Sequence, residues 1–380
     1  MMKNLKIILI SFVIAVIFIE IFIRLVHEDK IKTSRREICH QGDAGKGYFE
    51  DDHCYYIFDT TSKLIFNLKT GYVPEPNAKG QGYKINNFFA RDNLSFEKIN
   101  DLKKKKIVLT GGSVAFGAGN NQNNTISNFF NKINKKYYII NLGVGGYTLN
   151  SEYNLYKDKL YMYDHEIWIS LSGLNDRYSS YVSEDYYDNP DMTNIKKKLK
   201  NYDIYSNENI KPNIYKNYQL KIIYYLDKFF YKDDIKKISY PPPYRKFFKR
   251  MEYDNFKKKF EADLKIAILI AKLNDICFVY ALQPDLFSTQ KKLSQYENTI
   301  KNNYNAHEMA DHYIKIYNLQ KKILENFHNT ENLNYIIIDD AIKNTKNDLF
   351  LDEGHFGSKG NSLIANFINE KIAKQSNDCM

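Results

Sequence analysis

The sequence contains four short segments whose residue types could together carry out nucleophilic catalysis. Ser113 follows two glycines, and an Asp-x-x-His pair, Asp352 and His355, stands near the carboxyl end of the chain. A serine hydroxyl is a poor nucleophile at neutral pH, so it needs a base, and the base needs a carboxylate that fixes its tautomer and stabilises its protonated form. Ser113, His355 and Asp352 are therefore the candidate nucleophile, base and orienting carboxylate of an acyl-transfer site.

Two further segments contain donors for the oxyanion that this chemistry creates. Nucleophilic attack turns the carbonyl oxygen of an ester into an oxyanion, and hydrogen-bond donors must already be directed at it. The backbone N–H groups of Ser113 and Gly146 and the side-chain amide of Asn175 are suitable donors. The reaction requires no metal and no organic cofactor, and none is predicted.

Short apolar segments that alternate with helical patterns would position these residues. The segments are β-branched or aromatic without polar alternation, as in parallel strands buried on both faces. They are 107–110, 137–141, 167–171, 277–282 and 335–339, and the predicted helices are 125–134, 149–160, 254–273, 304–327 and 358–373. Five strands alternating with helices predict a doubly wound α/β domain. Ligands bind such a domain at the carboxyl ends of its strands, where the four segments lie.

In their order along the chain, the four segments resemble the motif blocks of the SGNH hydrolases, the superfamily of the GDSL-like esterases and lipases. Ser113 matches the nucleophile position, and Asp352 and His355 match the Asp-x-x-His of the last block. Gly146 and Asn175 match the two oxyanion-hole positions of the middle blocks. The resemblance implies a flavodoxin-like three-layer α/β/α fold with a five-stranded parallel sheet.

The resemblance covers about residues 103–374, apart from one insertion, and departs from the family at one position. The family usually has Asp before the nucleophile, where this chain has Gly112. That residue is not the nucleophile, so an active enzyme remains the expectation. Leu282 to Phe287 (LQPDLF) and the segment before the domain look more loosely like membrane-anchored members from bacterial envelope and polysaccharide loci.

The amino end of the chain predicts a membrane anchor. Residues 7–19 are almost wholly apolar, and residues 5–26 have the length of about 20 residues that spans a bilayer. Lys3 and Lys6 precede the apolar run as in a signal sequence, but no small-x-small cleavage site follows it. Residues 1–27 are therefore expected to remain as a single-pass anchor. A buried core helix is the alternative, and apolar residues on all faces of a terminal segment disfavour it.

The side of the membrane on which the domain lies is predicted from cysteine placement. Cys39 and Cys54 flank a short polar loop and are the candidates for a disulfide, which needs an oxidising compartment. This favours the periplasmic or outer side. The basic residues that follow the anchor, Arg24 and Lys30 among them, point the other way.

Between the anchor and the carboxyl end, the chain divides into a lead-in and a catalytic domain. Residues 28–102 form the lead-in, a Pro/Gly-rich part of which predicts an extended loop, and residues 103–376 form the SGNH-like domain. About residues 178–252 exceed what one crossover needs and are interpreted as an insertion or lid, with a solvated helical excursion as the alternative. Cys277, in a predicted strand, is expected to be a buried core residue.

Composition excludes some function classes. The chain is 43% hydrophobic and 15% aromatic, which excludes a disordered protein. Its net charge of +10 comes from 55 basic against 45 acidic residues, a mild excess that predicts a solvated lysine-rich surface. A basic membrane protein that binds nucleic acid or an acidic polymer is an alternative without a recognisable module behind it, so no nucleic-acid partner is expected.

The leading hypothesis is a serine esterase or acyltransferase that works through an acyl-enzyme. An acyl ester, here an acetyl group on cell-envelope carbohydrate, is the expected substrate, because tyrosines of the insertion such as Tyr181 and Tyr186 could lie against sugar faces. The alternative from another class is a catalytically inactive SGNH module that binds glycan or holds partners at the membrane. Gly112 and the long insertion are the features that favour this alternative.

Overall fold

Strands and helices alternate along the chain as the apolar pattern predicts. The structure is a computed structural model, and it describes Ala15 and residues 64–67, 70–80, 82–159, 162–180, 251–303 and 307–375. In chain order the strands are β1 (Leu64–Asn67), β2 (Gly71–Pro74), β3 (Lys79–Gly80), β4 (Tyr83–Lys84), β5 (Lys105–Gly111), β6 (Tyr137–Asn141), β7 (Ile167–Ser172), β8 (Cys277–Leu282) and β9 (Asn334–Ile337). The helices are α1 (Phe96–Asn100), α2 (Ser113–Phe116), α3 (Ile126–Ile133), α4 (Leu149–Lys159), α5 (Leu174–Ser179), α6 (Tyr253–Lys272), α7 (Gln295–Asn303), α8 (His307–Glu331), α9 (Asp339–Ile342) and α10 (Ser358–Gln375).

Within the described ranges, β5 to β9 form one five-stranded sheet in the order β6-β5-β7-β8-β9, and every neighbouring pair is parallel. The predicted five-stranded parallel sheet is confirmed. Counted from β5, the order is 2-1-3-4-5, which is the flavodoxin-like order. In that order the chain reverses direction across the sheet between β5 and β7, where ligands of such folds bind.

Helices cover both faces of the sheet. Successive strand residues point to opposite faces, so a continuously apolar strand such as β5 fills two cores. On one face, Val108 and Trp168 pack with side chains of α4, α6 and α8. On the other, Leu109 and Ile169 pack with side chains of α3 and α10. The arrangement is a three-layer α/β/α domain. In the first of these two cores, the Trp168 indole stacks on the Tyr156 ring with ring centroids 3.8 Å apart.

The domain begins before residue 103, because described parts of the predicted lead-in pack against it. Val73, Ala90 and Ile99 belong to the same core as Trp168. Where an extended loop is predicted, the structure has the short strands β2, β3 and β4. β2 pairs antiparallel with the preceding β1, and β3 pairs antiparallel with β4. The apolar residues of this part are isolated rather than periodic, so their burial is set by tertiary contacts that no local pattern reports.

Several predictions fall outside the described residues. The anchor (except Ala15), residues 181–250 of the insertion, Cys39 and Cys54 lie there, and they stay predictions. None of the helices in the described part of the chain combines the length and the apolar character needed to cross a bilayer.

Cys277 differs from its predicted role as a simple core residue. It begins β8, is only partly buried, and is disulfide-bonded. The other three cysteines of the sequence, Cys39, Cys54 and Cys379, lie outside the described residues.

Candidate active site

The fold brings the motif segments together at the carboxyl ends of neighbouring strands. Ser113 begins α2 just after β5, and Asn175 lies in α5 just after β7. The loop that contains Gly146 follows β6, on the other side of β5. His355 lies in the loop between α9 and α10, three residues before α10 begins. The site residues predicted from the sequence therefore converge at the carboxyl end of the sheet.

A tight turn between β5 and α2 presents Ser113. Gly111 has φ +149°, and a Cβ atom there would lie 2.3 Å from the carbonyl oxygen of Leu171, so only glycine fits. The turn is fixed from the β6 side, where the Asn141 side-chain amide donates to the carbonyl of Ala115 at 2.8 Å. The nucleophile therefore sits on a rigid strand-to-helix connection.

Ser113, His355 and Asp352 form a hydrogen-bonded chain. The His355 Nδ1 lies 2.7 Å from Asp352 Oδ2, and its Nε2 lies 2.7 Å from Ser113 Oγ. Nδ1–H donates to the carboxylate, which leaves Nε2 to accept the serine proton. The other carboxylate oxygen accepts from the backbone N–H groups of Gly354 at 2.9 Å and of His355 at 2.7 Å. The His355 side chain is 26% exposed, so the pair is open to a substrate.

The electrostatics of the pair suit a base that is charged during the reaction. Burial alone would lower the pKa of His355, but the charge of Asp352 and its hydrogen bond raise that pKa to about 9. Burial would raise the pKa of Asp352, but the His355 charge and the hydrogen bonds that it accepts hold it below its usual value. Asp352 can therefore stabilise a protonated His355 imidazole.

This raised pKa predicts the pH dependence of the reaction. Below its pKa, His355 is protonated and cannot accept the Ser113 proton, so kcat/KM should rise with pH. We expect the midpoint of the rising limb to lie well above 6.5, the ordinary histidine pKa, and near 9. Hydrolysis of a neutral ester from pH 5 to 10 measures it, with spontaneous hydrolysis subtracted. A midpoint at or below 6.5 would contradict the Asp352 contact.

The oxyanion side of the site is built from the β6 loop and α5. Gly146 has φ +82°, which favours glycine at this position. The Asn175 Nδ2 donates to the carbonyl of Tyr147, the residue after Gly146, at 2.8 Å. The two predicted donors thus belong to one hydrogen-bonded unit. Preorganised donors of this kind stabilise a developing oxyanion without having to reorient.

A buried polar cluster links α5 to the loop that carries Asp352 and His355, and sequence reasoning missed its role. Arg177 pairs with Asp285 at 3.3 Å and donates to the carbonyl of Gln283 at 2.9 Å. The Gln283 amide in turn donates to the carbonyl of Gly354 at 2.9 Å, and the Leu286 N–H donates to the carbonyl of Glu353, also at 2.9 Å. The signal available in the sequence was the segment LQPDLF, which contains both Gln283 and Asp285.

Glu297 on α7 holds the same loop from its other end. Its Oε1 accepts from the backbone N–H groups of Leu349 at 2.8 Å and Phe350 at 3.2 Å, just before Asp352. Its charge is balanced by a fully buried ion pair with Lys291. Buried charges cost free energy unless they are paired and hydrogen-bonded. Movement of the loop would remove the hydrogen bonds of the buried Glu297 carboxylate, so these contacts hold the loop in position.

Two residues of the predicted lead-in also reach the site. Arg91 is buried, and its guanidinium donates to the carbonyls of Phe116 at 2.9 Å and Gly117 at 2.8 Å, at the end of the nucleophile helix. Burial lowers the pKa of Arg91 to about 9. Tyr72 donates through its hydroxyl to the carbonyl of Gly145 at 3.0 Å, beside the oxyanion-hole glycine. The segment before β5 is therefore part of the site.

Comparison with known proteins finds similarity only among solved structures. No family model and no curated protein matches the chain. A structure from Desulfitobacterium hafniense, described as a G-D-S-L family lipolytic protein, is 10% identical over 70% of this chain and 99% of its own, with a TM-score of 0.40. The lipase/acylhydrolase of Enterococcus faecalis is 12% identical over 72% and 97%, with a TM-score of 0.38. A variant of an acetyl-xylooligosaccharide esterase from Geobacillus is 12% identical over 70% and 94%, with a TM-score of 0.37.

At these identities and TM-scores, the chemistry of this chain has to be read from its own residues. Those residues place Ser113, His355 and Asp352 in hydrogen-bond contact, and they hold the Asn175 amide at the carbonyl of Tyr147, next to Gly146. In the order of its motif blocks, in the order of its sheet and in the geometry of its triad, the chain resembles the SGNH hydrolases.

Proposed function

We propose that this chain is a serine esterase or O-acyltransferase of the SGNH type that works through an acyl-enzyme. The observation that carries the proposal is the continuous contact from Ser113 Oγ through the His355 ring to Asp352, with 2.7 Å at each step. A module that only binds glycan has no need of this chain of contacts. The geometry therefore favours the enzyme over the inactive module.

The reaction follows from the positions of the atoms. Ser113 Oγ forms a bond to the acyl carbon while its proton passes to His355 Nε2, and the carbonyl electrons move onto the oxygen. The Ser113 and Gly146 N–H groups and the Asn175 amide donate to that oxyanion. When the intermediate collapses, the ester C–O bond breaks and the leaving alcohol takes the proton from His355. Water or a sugar hydroxyl then repeats the sequence on the acyl-enzyme, giving hydrolysis or transfer.

The proposed substrate is an acetyl or similarly short O-acyl group on a cell-envelope carbohydrate. Support comes from Tyr72, whose hydroxyl donates to the carbonyl of Gly145 at 3.0 Å, directly before Gly146. An aromatic side chain with a polar tip at this place suits a small acyl group next to a sugar face. A long aliphatic chain would instead require an extended apolar surface beside the nucleophile.

A comparison of ester substrates tests this preference. We expect purified protein to release acetate from acetylated oligosaccharides with a kcat/KM at least about 10-fold higher than that for long-chain lipid esters. Acetate release and fatty-acid release are measured under the same conditions, and Ser113→Ala controls for contaminating esterases. Faster hydrolysis of the long chains would contradict the carbohydrate proposal while leaving the esterase proposal intact.

The proposed location is the outer side of a membrane, reached through the predicted anchor at residues 5–26. The disulfide at Cys277 supports this location, because disulfides persist in oxidising compartments. Protease added outside the cytoplasmic membrane should digest the domain in intact spheroplasts. Digestion only after the membrane is opened would contradict the placement.

A further inference from the structure

We propose that Gly112 is a positioning residue, whose missing side chain leaves room for the Asn175 amide in the oxyanion hole. The inference rests on the proposed function. It gives a structural role to Gly112, which stands where the family usually has Asp before the nucleophile.

Backbone strain does not explain a glycine at this position. Gly112 precedes α2 with φ −79° and ψ −153°, an extended conformation that other residues also adopt. Its neighbour Gly111, by contrast, has φ +149°. The reason for glycine at position 112 must therefore lie in the space around it.

That space is occupied by the oxyanion donor. A Cβ atom on Gly112 would lie 2.3 Å from Asn175 Nδ2, a separation far below van der Waals contact. The next nearest atoms, Asn175 Cγ and the carbonyl oxygen of Tyr147, would both be 3.4 Å away, which is tolerable. The amide nitrogen alone would have to move.

Movement of this amide would lower the rate of turnover and leave the stability of the fold nearly unchanged. Asn175 Nδ2 donates one N–H to the carbonyl of Tyr147 at 2.8 Å, which fixes the amide beside Gly146. An amide nitrogen carries two N–H groups, so the second can serve the oxyanion. A side chain at position 112 would break the first bond and misdirect the second. Because the displaced group is the end of a side chain, the backbone around it can stay in place.

A double-mutant cycle tests the proposal. Gly112→Ala, Asn175→Ala and the double variant are compared with wild type for the rate of fluorophosphonate labelling and for kcat on a short-chain ester. Loss of one oxyanion donor typically costs about 100-fold to 1,000-fold, so we expect each single variant to lose about that factor in kcat. With the amide already absent, adding Gly112→Ala to Asn175→Ala should change kcat by less than about 3-fold. Thermal unfolding of Gly112→Ala should stay close to that of wild type.

Two results would overturn the proposal and leave the proposed function standing. One is labelling and turnover of Gly112→Ala within about 3-fold of wild type. The other is an equal loss from Gly112→Ala in the wild-type and Asn175→Ala backgrounds, because the effect would then not pass through the amide. If Gly112→Ala does not fold, the double variant decides: recovery of folding supports the proposal, and failure to fold overturns it, because the clash would then not involve the amide. A wild-type protein that fails to label at all would instead count against the proposed function.

Discussion

Ser113→Ala is expected to abolish turnover of short-chain acyl esters, lowering kcat by about 10⁴-fold or more. The three residues in hydrogen-bond contact act as a unit, so removal of one member removes most of the rate that the unit provides. In the proposed reaction Ser113 Oγ forms the acyl bond, and alanine has no atom that could replace it. The His355 base would then lie 2.7 Å from an empty position rather than from a nucleophile. Initial rates on an activated acetyl ester measure the loss.

The control for this variant must show that the fold survives. Ser113 is only partly buried, and alanine fits at the start of α2, so thermal unfolding should hardly change. Ser95→Ala provides a matched serine replacement far from the site along the chain, because Ser95 caps α1 through a 3.4 Å bond to the Lys98 N–H. It should keep wild-type turnover. Equal activity of wild type and folded Ser113→Ala on every ester tried would favour the inactive-module alternative.

Asp352→Asn is expected to lower kcat by about 10⁴-fold while leaving the loop in place. The asparagine oxygen can still accept from the Gly354 and His355 N–H groups, which are 2.9 and 2.7 Å from Asp352 Oδ1. Its amide would then face His355 Nδ1 as a donor. The ring would place its proton on Nε2, where it can no longer accept the Ser113 proton.

The same variant should shift the pH profile in a defined direction. Asp352 is the group that raises the pKa of His355 to about 9, so removal of its charge should move the rising limb of kcat/KM to lower pH. Residual activity of Asp352→Asn, measured from pH 5 to 10, tests this. A limb that stays near the wild-type midpoint would show that the titrating group is not His355. Activity within about 10-fold of wild type would contradict the orienting role.

The sheet could be predicted closely because its strands are apolar on both faces. β6 and β8 have the predicted bounds, and β9 begins one residue earlier than predicted. The predicted helix 254–273 is α6, which buries Phe256, Phe260 and Leu264. Continuous apolar runs and 3.6-residue periodicity are local signals, and both survive in the folded chain.

The contact among Ser113, His355 and Asp352 could be predicted because each residue has its own local motif, and strand order then brings the motifs together. The residues that hold the triad have no such signal. Arg91 donates hydrogen bonds to the carbonyls of residues 116 and 117, and the Gln283 amide donates to the carbonyl of Gly354. A single polar residue with a distant partner leaves no periodicity in the sequence. Gly112 shows the same limit, since the sequence marks it only as a departure from the family's aspartate, whereas the structure shows that a Cβ atom there would lie 2.3 Å from Asn175 Nδ2.

Labelling with a fluorophosphonate, followed by mass spectrometry of the modified peptide, tests the central claim most directly. The reagent forms a covalent bond only with an activated serine, so it needs the hydroxyl, the base and the oxyanion donors but no knowledge of the substrate. We predict a single phosphonyl adduct on Ser113 in the wild-type protein, and none in Ser113→Ala. A folded wild-type protein that takes up no label, or that carries it on another serine, would contradict the assignment of Ser113, His355 and Asp352 as a catalytic triad.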